Sequence, residues 1–530
     1  MNDSVTPKEK HIQLLDCTLR DGGHINKGEF GREVIKGVID KLVDAKVDII
    51  EAGFLWESAC GDDTARFHSI ADIKKFLPNK KHSSKFALMA DFIDLQHLEP
   101  YDGTIEYIRL SFKRQRLPWA LKTGRILKDK GYKIFINPVN CNVYSDEQYL
   151  EVIKQVNELK PYAFSIVDTF GVMRLRDLTY RYSIVENNLD KDISIGLHLH
   201  ENLGLAYSLA QEFIRLAHPK RHVIIDGSLL GMGRAPGNLC IEQIMDHLNN
   251  EYDANYDLES VFDAIDDYIA PIKKVSPWGY TISFALSAKH NLHRTYAEFL
   301  MHKWKLRTSD IERILSGVSK TEAEYFNENY IEKMYRAYLS IPYDDEVNTE
   351  WLKNLVGGRD VLLIAPGASI NHAQVEIKNY IDARNPVVIS IHCVLEFLPV
   401  DYMFFSNIKR YDAFKSSLDN AKVIATSNLT RYQECKDIRY VFQYSDLANH
   451  GGLYCEDSTL MALNLLRRMS VKKIAVAGFD GPSAGEYGFY IEKLSRHDRD
   501  QTYSEFIKQI LTEQYGDINL EFLTESYYEQ

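Results

Sequence analysis

The chain has 530 residues, 45% of them hydrophobic, and a formal net charge of -12 at pH 7. Such a length exceeds one core and calls for two or three domains, and the acidic balance argues against general binding to nucleic acid or an anionic membrane. The seven cysteines are scattered, with no Cys-x-x-Cys pair, which fits a reducing cytoplasm better than a disulfide framework or a structural zinc site.

Residues 1–10 hold no apolar signal core, and no apolar run is long enough to span a bilayer. Short β-branched, apolar runs then recur at 12–18, 47–54, 86–91, 107–112, 133–140, 163–169, 193–200 and 223–228. The segments between them carry helical spacing, as in 31–45 with Val34, Ile35, Val38, Ile39, Leu42 and Val43. Near-continuous apolar strands alternating with helices predict a parallel sheet buried on both faces. Eight such units match an α/β fold of the (β/α)8 TIM-barrel type, with an open doubly wound sheet as the competing reading.

Polar residues fall at the ends of these runs. They are Arg20-Asp21, Glu51, Asp91, then Arg109, Ser111 and Lys113, then Asn137 and Asn140, Asp168-Thr169, His198 to Asn202, and Asp226 to Ser228. In a barrel all these ends converge on one face, where the active site sits. After the eighth run comes a glycine-rich loop, 231–238, read either as a plain turn or as backbone N–H groups set around an anion. Asp168, Thr169, Asn202, Gly231, Gly233 and Asn238 are the candidate substrate contacts on this face.

The barrel is assigned to 1–290 and a helical extension to 291–345. A linker follows at 346–358, and a Rossmann-like α/β domain covers 359–530. The C-terminal block has candidate strands at 360–365, 387–391, 402–405, 422–425, 440–442 and 473–477. Small or polar residues follow them, including Gly367, Ser369, Asn407, Ser427, Asn428 and Asp480. In open α/β sheets ligands sit at such carboxyl ends, which suggests a nucleotide or phosphate site; a structural or oligomerising domain is the alternative.

His198 and His200 are two residues apart on a predicted strand, so both side chains face the same way. With Asp21 they offer two imidazoles and one carboxylate, a catalytic divalent-metal set with positions left open. Mn2+ or Mg2+ is expected, and Co2+ or Zn2+ also suits the donors. Such a metal could polarise the carbonyl of a 2-oxo acid. Arg20 could stabilise the enolate oxygen, and His24 could serve as base, which fits aldol chemistry.

The stretch Asp16-Cys17-Thr18-Leu19-Arg20-Asp21-Gly22, with His198-Leu199-His200 and the loop 231–238, resembles the metal-dependent barrel aldolase/lyase superfamily of DRE-TIM type. That group includes 4-hydroxy-2-oxovalerate aldolase, isopropylmalate and homocitrate synthases, and hydroxymethylglutaryl-CoA lyase. The resemblance implies Asp21, His198 and His200 as metal ligands and Arg20 as enolate stabiliser. The Claisen synthases carry Glu-Gln after Arg-Asp-Gly, whereas Gly23-His24 here resembles the pyruvate aldolases, in which the histidine is the base. Asp168-Thr169-Phe170-Gly171 also resembles their sixth-strand segment.

This chain departs from that pattern at Glu201, where the aldolases usually carry a third histidine, and at Pro236, which replaces a small residue. The C-terminal block loosely resembles Rossmann-like domains near sialyltransferases and other surface-polysaccharide proteins. The reading is therefore an aldolase making or cleaving a 4-hydroxy-2-oxo acid, from pyruvate enolate and an aldehyde, sugar-derived and serving surface-glycan biosynthesis. A nucleotide or nucleotide-sugar is expected at the C-terminal domain, and a homo-oligomer is expected. A Claisen-type acetyl-CoA synthase, or a glycosyl- or nucleotidyl-transferase acting through the C-terminal domain, is the alternative.

Overall fold

The apolar runs of the first half form eight parallel strands: β1 (Ile12–Asp16), β2 (Ile49–Leu55), β3 (Lys85–Asp91), β4 (Tyr107–Phe112), β5 (Lys133–Pro138), β6 (Ala163–Asp168), β7 (Ser194–Leu199) and β8 (Val223–Gly227). They are seen in a computed structural model that describes residues 11–234, 236–323, 325–482 and 501–529. Neighbours pair in chain order. β1 closes the ring by pairing with β8 through Ile12 and Val223 and with β2 through Leu15 and Ile49. The closed barrel excludes the open-sheet reading. A two-residue strand, Arg66–Phe67, adds beside β2.

Amphipathic helices cover the outside. Helix Arg32–Asp44 buries Ile35, Val38, Ile39, Leu42 and Val43 against the strands, and helices Leu117–Asp129, Asp146–Leu159, Leu175–Asn188, Ala206–Leu216 and Ile241–Tyr252 follow later strands. Residues 92–106, between β3 and β4, contain no helix.

The first strand is shorter than its apolar run predicts. Backbone pairing stops at Asp16, whose carboxylate accepts from the Thr18 backbone N–H at 2.9 Å and the Thr18 hydroxyl at 2.8 Å. This local bonding competes with the ladder and turns the chain into a helical stretch, Thr18–Asp21. Arg20 and Asp21 therefore sit one turn beyond the strand rather than at its end.

The chain divides into two compact units after Ala297. The second holds a seven-stranded parallel sheet of β9 (Val361–Ile364), β10 (Val387–Ile391), β11 (Tyr402–Phe405), β12 (Val423–Thr426), β13 (Tyr440–Phe442), β14 (Lys473–Ala477) and β15 (Asn519–Phe522), in the order β13-β12-β11-β10-β9-β14-β15. The edge strand β15 has no counterpart among the candidate strands. Its Asn-Leu-Glu-Phe sequence is only partly buried, so it lacks the apolar run that marks the others.

Two further differences concern the segments before this sheet. The expected linker contains helix Glu346–Val356, held by buried Leu352 and Val356 and by Trp351 stacked on Tyr440 at 3.5 Å. The helices Thr308–Ser316 and Glu328–Leu339, expected as a barrel extension, pack within the second unit. Tyr432 donates to Asp310 and Tyr335 to Glu456, each at 2.7 Å. Among the described residues no helix is long and apolar enough to cross a membrane.

Candidate active site

The inside of the barrel is graded along the strands. Leu15, Ile49, Ala87, Tyr107, Phe135, Ala163 and Ile224 form a buried apolar cluster. Successive inward positions are two residues apart. One step beyond Ile49, Tyr107 and Ile224 come Glu51, Arg109 and Asp226, all buried. Arg109 donates to Glu51 at 3.1 Å and to Asp226 at 2.5 Å. Arg20 donates to the same Glu51 oxygen at 2.7 Å.

One more step up lie the candidate metal ligands. His198 extends from β7, His200 follows its end, and Asp21 projects from the turn after β1. One ligand atom from each of the three lies within 4.8 Å of the others. His200 Nδ1 is 3.0 Å from the Asp168 carbonyl oxygen. A carbonyl only accepts, so Nδ1 carries the hydrogen and Nε2 presents a lone pair. That Nε2 is buried, makes no hydrogen bond among the described residues, and lies 3.7 Å from Asp21 Oδ2. His198 Nδ1 is 3.0 Å from Asp226 Oδ2, which orients its ring in the same sense.

These groups fit a divalent cation. Two guanidiniums, Arg20 and Arg109, face three carboxylates, Asp21, Glu51 and Asp226, leaving one negative charge. Burial raises the Asp21 carboxyl, but the Arg20 guanidinium overrides it and, with His200, holds Asp21 well below the usual carboxylate range. Burial, reinforced by His198, pushes the His200 imidazole down to about 3. Asp21 and His200 are thus deprotonated at neutral pH, as metal binding requires. The mixed nitrogen and oxygen set does not select among divalent ions.

Arg20 contacts Asp21 as well as Glu51, so its charge is fixed beside the centre. His24 stands in the next helical turn, Gly23–Asn26. Its Nε2 is 3.9 Å from Asp21 Oδ1, its side chain is 45% exposed, and its ring meets Phe54 edge-on at 5.8 Å. Burial lowers its pKa, leaving it neutral and able to accept a proton.

The remaining candidates divide. The Asp168 carboxylate accepts from the Val172 and Met173 backbone N–H groups at 3.0 and 2.9 Å, and Thr169 Oγ1 accepts from the Asn140 backbone at 2.7 Å. Both side chains are therefore engaged in shaping loops. Asn202 is buried against Gly171, where a Cβ would come within 2.3 Å of its Oδ1. Gly231 has φ +63°, a conformation suited to glycine. A Cβ on Gly233 would lie 2.4 Å from Asn238 Nδ2 and 2.6 Å from Asp21 Oδ2. The loop backbone therefore runs against the centre, and the Arg234 N–H donates to Asp21 Oδ2 at 3.2 Å. Asn238 Oδ1 is buried and accepts no hydrogen bond among the described residues.

Glu51, Arg109 and Asp226 stood out in the sequence as strand-end polar groups, but nothing there assigned them a role. The available signal was their position two residues after an inward apolar residue in three separate strands.

In the second unit the candidates form separate groups. Ser369 donates to Asp480 through its backbone at 2.9 Å and its hydroxyl at 2.5 Å. Gly367 N–H donates to the Gly478 carbonyl at 2.8 Å. Elsewhere, Asn407 caps helix Ile408–Phe414. Ser427 donates to the Ile341 carbonyl at 2.9 Å, and Asn428 donates to the Ser406 carbonyl at 3.1 Å. Each of these side chains has an internal bonding role.

Residues 115–267 match the family described as HMGL-like. Among curated relatives, 4-hydroxy-2-oxovalerate aldolase of Chloroflexus aurantiacus is 23% identical over 337 residues, 61% of this chain and 94% of that protein. Oxaloacetate decarboxylase of Mycobacterium tuberculosis is 22% identical over 342 residues, 59% of this chain and 99% of that protein. A solved N-terminal domain of a Bacteroides vulgatus chain named as an aldolase aligns at 21% identity with a TM-score of 0.47, covering 55% of this chain and 96% of that one. The barrel is thus similar to the HMGL-like family over residues 115–267 and to aldolase and lyase enzymes over a longer span. Its similarity is to the 4-hydroxy-2-oxovalerate aldolases and to an oxaloacetate decarboxylase alike.

Proposed function

We propose that the barrel is a divalent-metal-dependent aldolase for a 4-hydroxy-2-oxo acid, with pyruvate as the nucleophilic half and an aldehyde as the other. The observation that carries this reading is the convergence of Asp21, His198 and His200 within 4.8 Å, with Arg20 and His24 beside Asp21. Both named activities among the relatives break a carbon–carbon bond next to a 2-oxo acid.

Asp21, His198 and His200 would hold the metal, with Mn2+ or Mg2+ proposed. When bound, it supplies a Lewis acid for the oxygens of the 2-oxo acid. His24 accepts the proton of the 4-hydroxyl. The bond between C3 and C4 then breaks, the aldehyde leaves, and its electron pair passes into the enolate of pyruvate. Arg20, kept cationic by Glu51 and Asp21, stabilises the enolate oxygen. A proton returned to C3 completes pyruvate. Asn202, Gly231 and Asn238 are proposed to line the substrate space.

The finer part of the reading is a sugar-derived aldehyde in surface-glycan biosynthesis, handled in the cytoplasm by a homo-oligomer. A parallel sheet of the class that holds nucleotides at its carboxyl edge supports it. Nucleotide-sugar binding by the full chain tests this part, and no binding to any nucleotide removes it.

The main test is incubation of the metal-supplemented protein with pyruvate and a panel of aldehydes, read by product mass. A new 4-hydroxy-2-oxo acid is the expected product. Thiol release from acetyl-CoA with a 2-oxo acid, and no aldol product, replaces this reading with a Claisen-type synthase.

A further inference from the structure

Three neighbouring strands put a row of polar side chains on the inner wall of the barrel mouth. The ladders set Asp91 of β3 against Ser111 of β4, and Ser111 against Asn137 of β5. Each lies two or four residues beyond an inward apolar residue, Ala87, Tyr107 or Phe135, so all three side chains face inward. The Arg109 guanidinium lies over the Phe135 ring at 5.3 Å, and Asn137 is one inward step above that ring. Arg109 in turn reaches Asp226, the partner of His198. The row therefore borders the charged layer that supports the candidate centre. Among the described residues none of the three side chains is hydrogen-bonded to protein, and Asn137, 3% exposed, keeps a buried Oδ1 without a donor. Asp168 and Thr169 differ, since their side chains are engaged by loop backbone. Lys113 is the charge acting on Asp91.

A buried acceptor left without a donor costs about 1–3 kcal/mol, which a bound donor offsets. The Asp91 carboxylate and Asn137 Oδ1 accept; the Ser111 hydroxyl and Asn137 Nδ2 donate. A hydroxyl group can meet both kinds, whereas an alkyl chain meets neither and an ionised acid brings no hydrogen. Position in the barrel says which half of the substrate carries it. The oxo-acid end belongs at Asp21, His198, His200 and Arg20, on the β1 and β7 side. His24, which acts at the 4-hydroxyl, meets Phe54 of β2 edge-on, and Phe54 pairs with Met89, two residues before Asp91. The row thus starts near His24 and runs away from the metal ligands, as the aldehyde half must. We propose that Asp91, Ser111 and Asn137 form the subsite for the aldehyde half and select an aldehyde that bears hydroxyl groups. The inference rests on the aldolase reading for the identity of that half and adds its class, a hydroxyaldehyde, with the residues that choose it.

Paired aldehydes test it. With the metal-loaded full chain and saturating pyruvate, kcat/KM is measured for glycolaldehyde against acetaldehyde and for glyceraldehyde against propanal. The hydroxyaldehydes should be preferred about a hundredfold or more. Asp91→Ala and Asn137→Ala should each cut that preference about tenfold. Asp91→Asn keeps an acceptor and should lose less, with thermal melting confirming that each variant folds. Equal kcat/KM within each pair overturns the inference, as does a preference unchanged in both alanine variants. So does a rise in the KM for pyruvate in those variants with the preference intact, which would assign the row to the oxo acid. Failure of the aldolase reading is seen separately, as absence of metal-dependent deuterium exchange at C3 of pyruvate in the unsubstituted protein, and it takes the inference with it. Exchange without aldol product from either hydroxyaldehyde overturns the inference alone.

Discussion

Asp226 joins Arg109 to His198 through one carboxylate oxygen. It therefore serves both charge balance and ligand orientation. Asp226→Asn keeps the shape but removes the charge. The metal affinity should fall by about 10- to 100-fold, read by competition with a chelator. Arg109, fully buried, would lose half of its compensation, so stability should drop by about 3 kcal/mol in denaturant unfolding. His24 gives the opposite pattern because its side chain is half exposed and touches no buried charge network beyond Asp21. His24→Ala should lower aldol turnover by about 10^2- to 10^4-fold while metal content is retained and stability changes by about 0.5 kcal/mol or less. Loss of the metal instead would make His24 a ligand. At this scale the sequence is legible where chemistry is local: Arg20, Asp21 and His24 lie within one short stretch, and His198 and His200 share a strand period. Pairings such as Arg109 with Asp226, 117 residues apart, exist only once the barrel closes.

Elements follow from the apolar runs because each strand is buried on both faces, and burial dominates local preference. Boundaries depend instead on side-chain competition. Asp16 ended β1 early by bonding to Thr18, and so placed Asp21 on a helical turn. Two glycines show how closely elements approach near the site. A Cβ on Gly233 meets Asn238 and Asp21 at 2.4 and 2.6 Å, both fixed by their surroundings. Gly233→Ala should therefore abolish high-affinity metal binding, measured by bound-metal analysis of folded protein. A Cβ on Gly196, in β7, meets Ser165 Oγ at 2.5 Å, a small side chain that can rotate. Gly196→Ala should cost about 1–3 kcal/mol by overpacking, and Ser165→Ala in the same chain should recover part of it in thermal melts.

Over the whole molecule, composition pointed to more than one domain, but the division after Ala297 was not marked by any run of Gly, Pro or Ser. Helix Glu346–Val356 escapes the sequence pattern because glycines and acidic residues surround it, and its two buried apolar residues give too weak a period. The second unit carries its own acid sensitivity. Burial depresses the His450 imidazole to about 4 from an ordinary 6.5, so the unfolded chain takes up that proton first. The associated stability is present above pH 6.5 and is lost as the pH falls through 4, on the order of 3 kcal/mol. His450→Gln should flatten the pH dependence of unfolding in that window, followed by fluorescence.

The excess of carboxylates over guanidiniums inside the barrel has a consequence for folding as well as for chemistry. A cation that binds the native barrel and not the unfolded chain shifts the folding equilibrium by mass action. At a free concentration a hundredfold above its dissociation constant, the gain is about 2.7 kcal/mol. The lifetime of the folded barrel then becomes a gauge of free divalent metal. Chains made when that metal is scarce would open more often and be cleared sooner by proteases than chains made when it is plentiful.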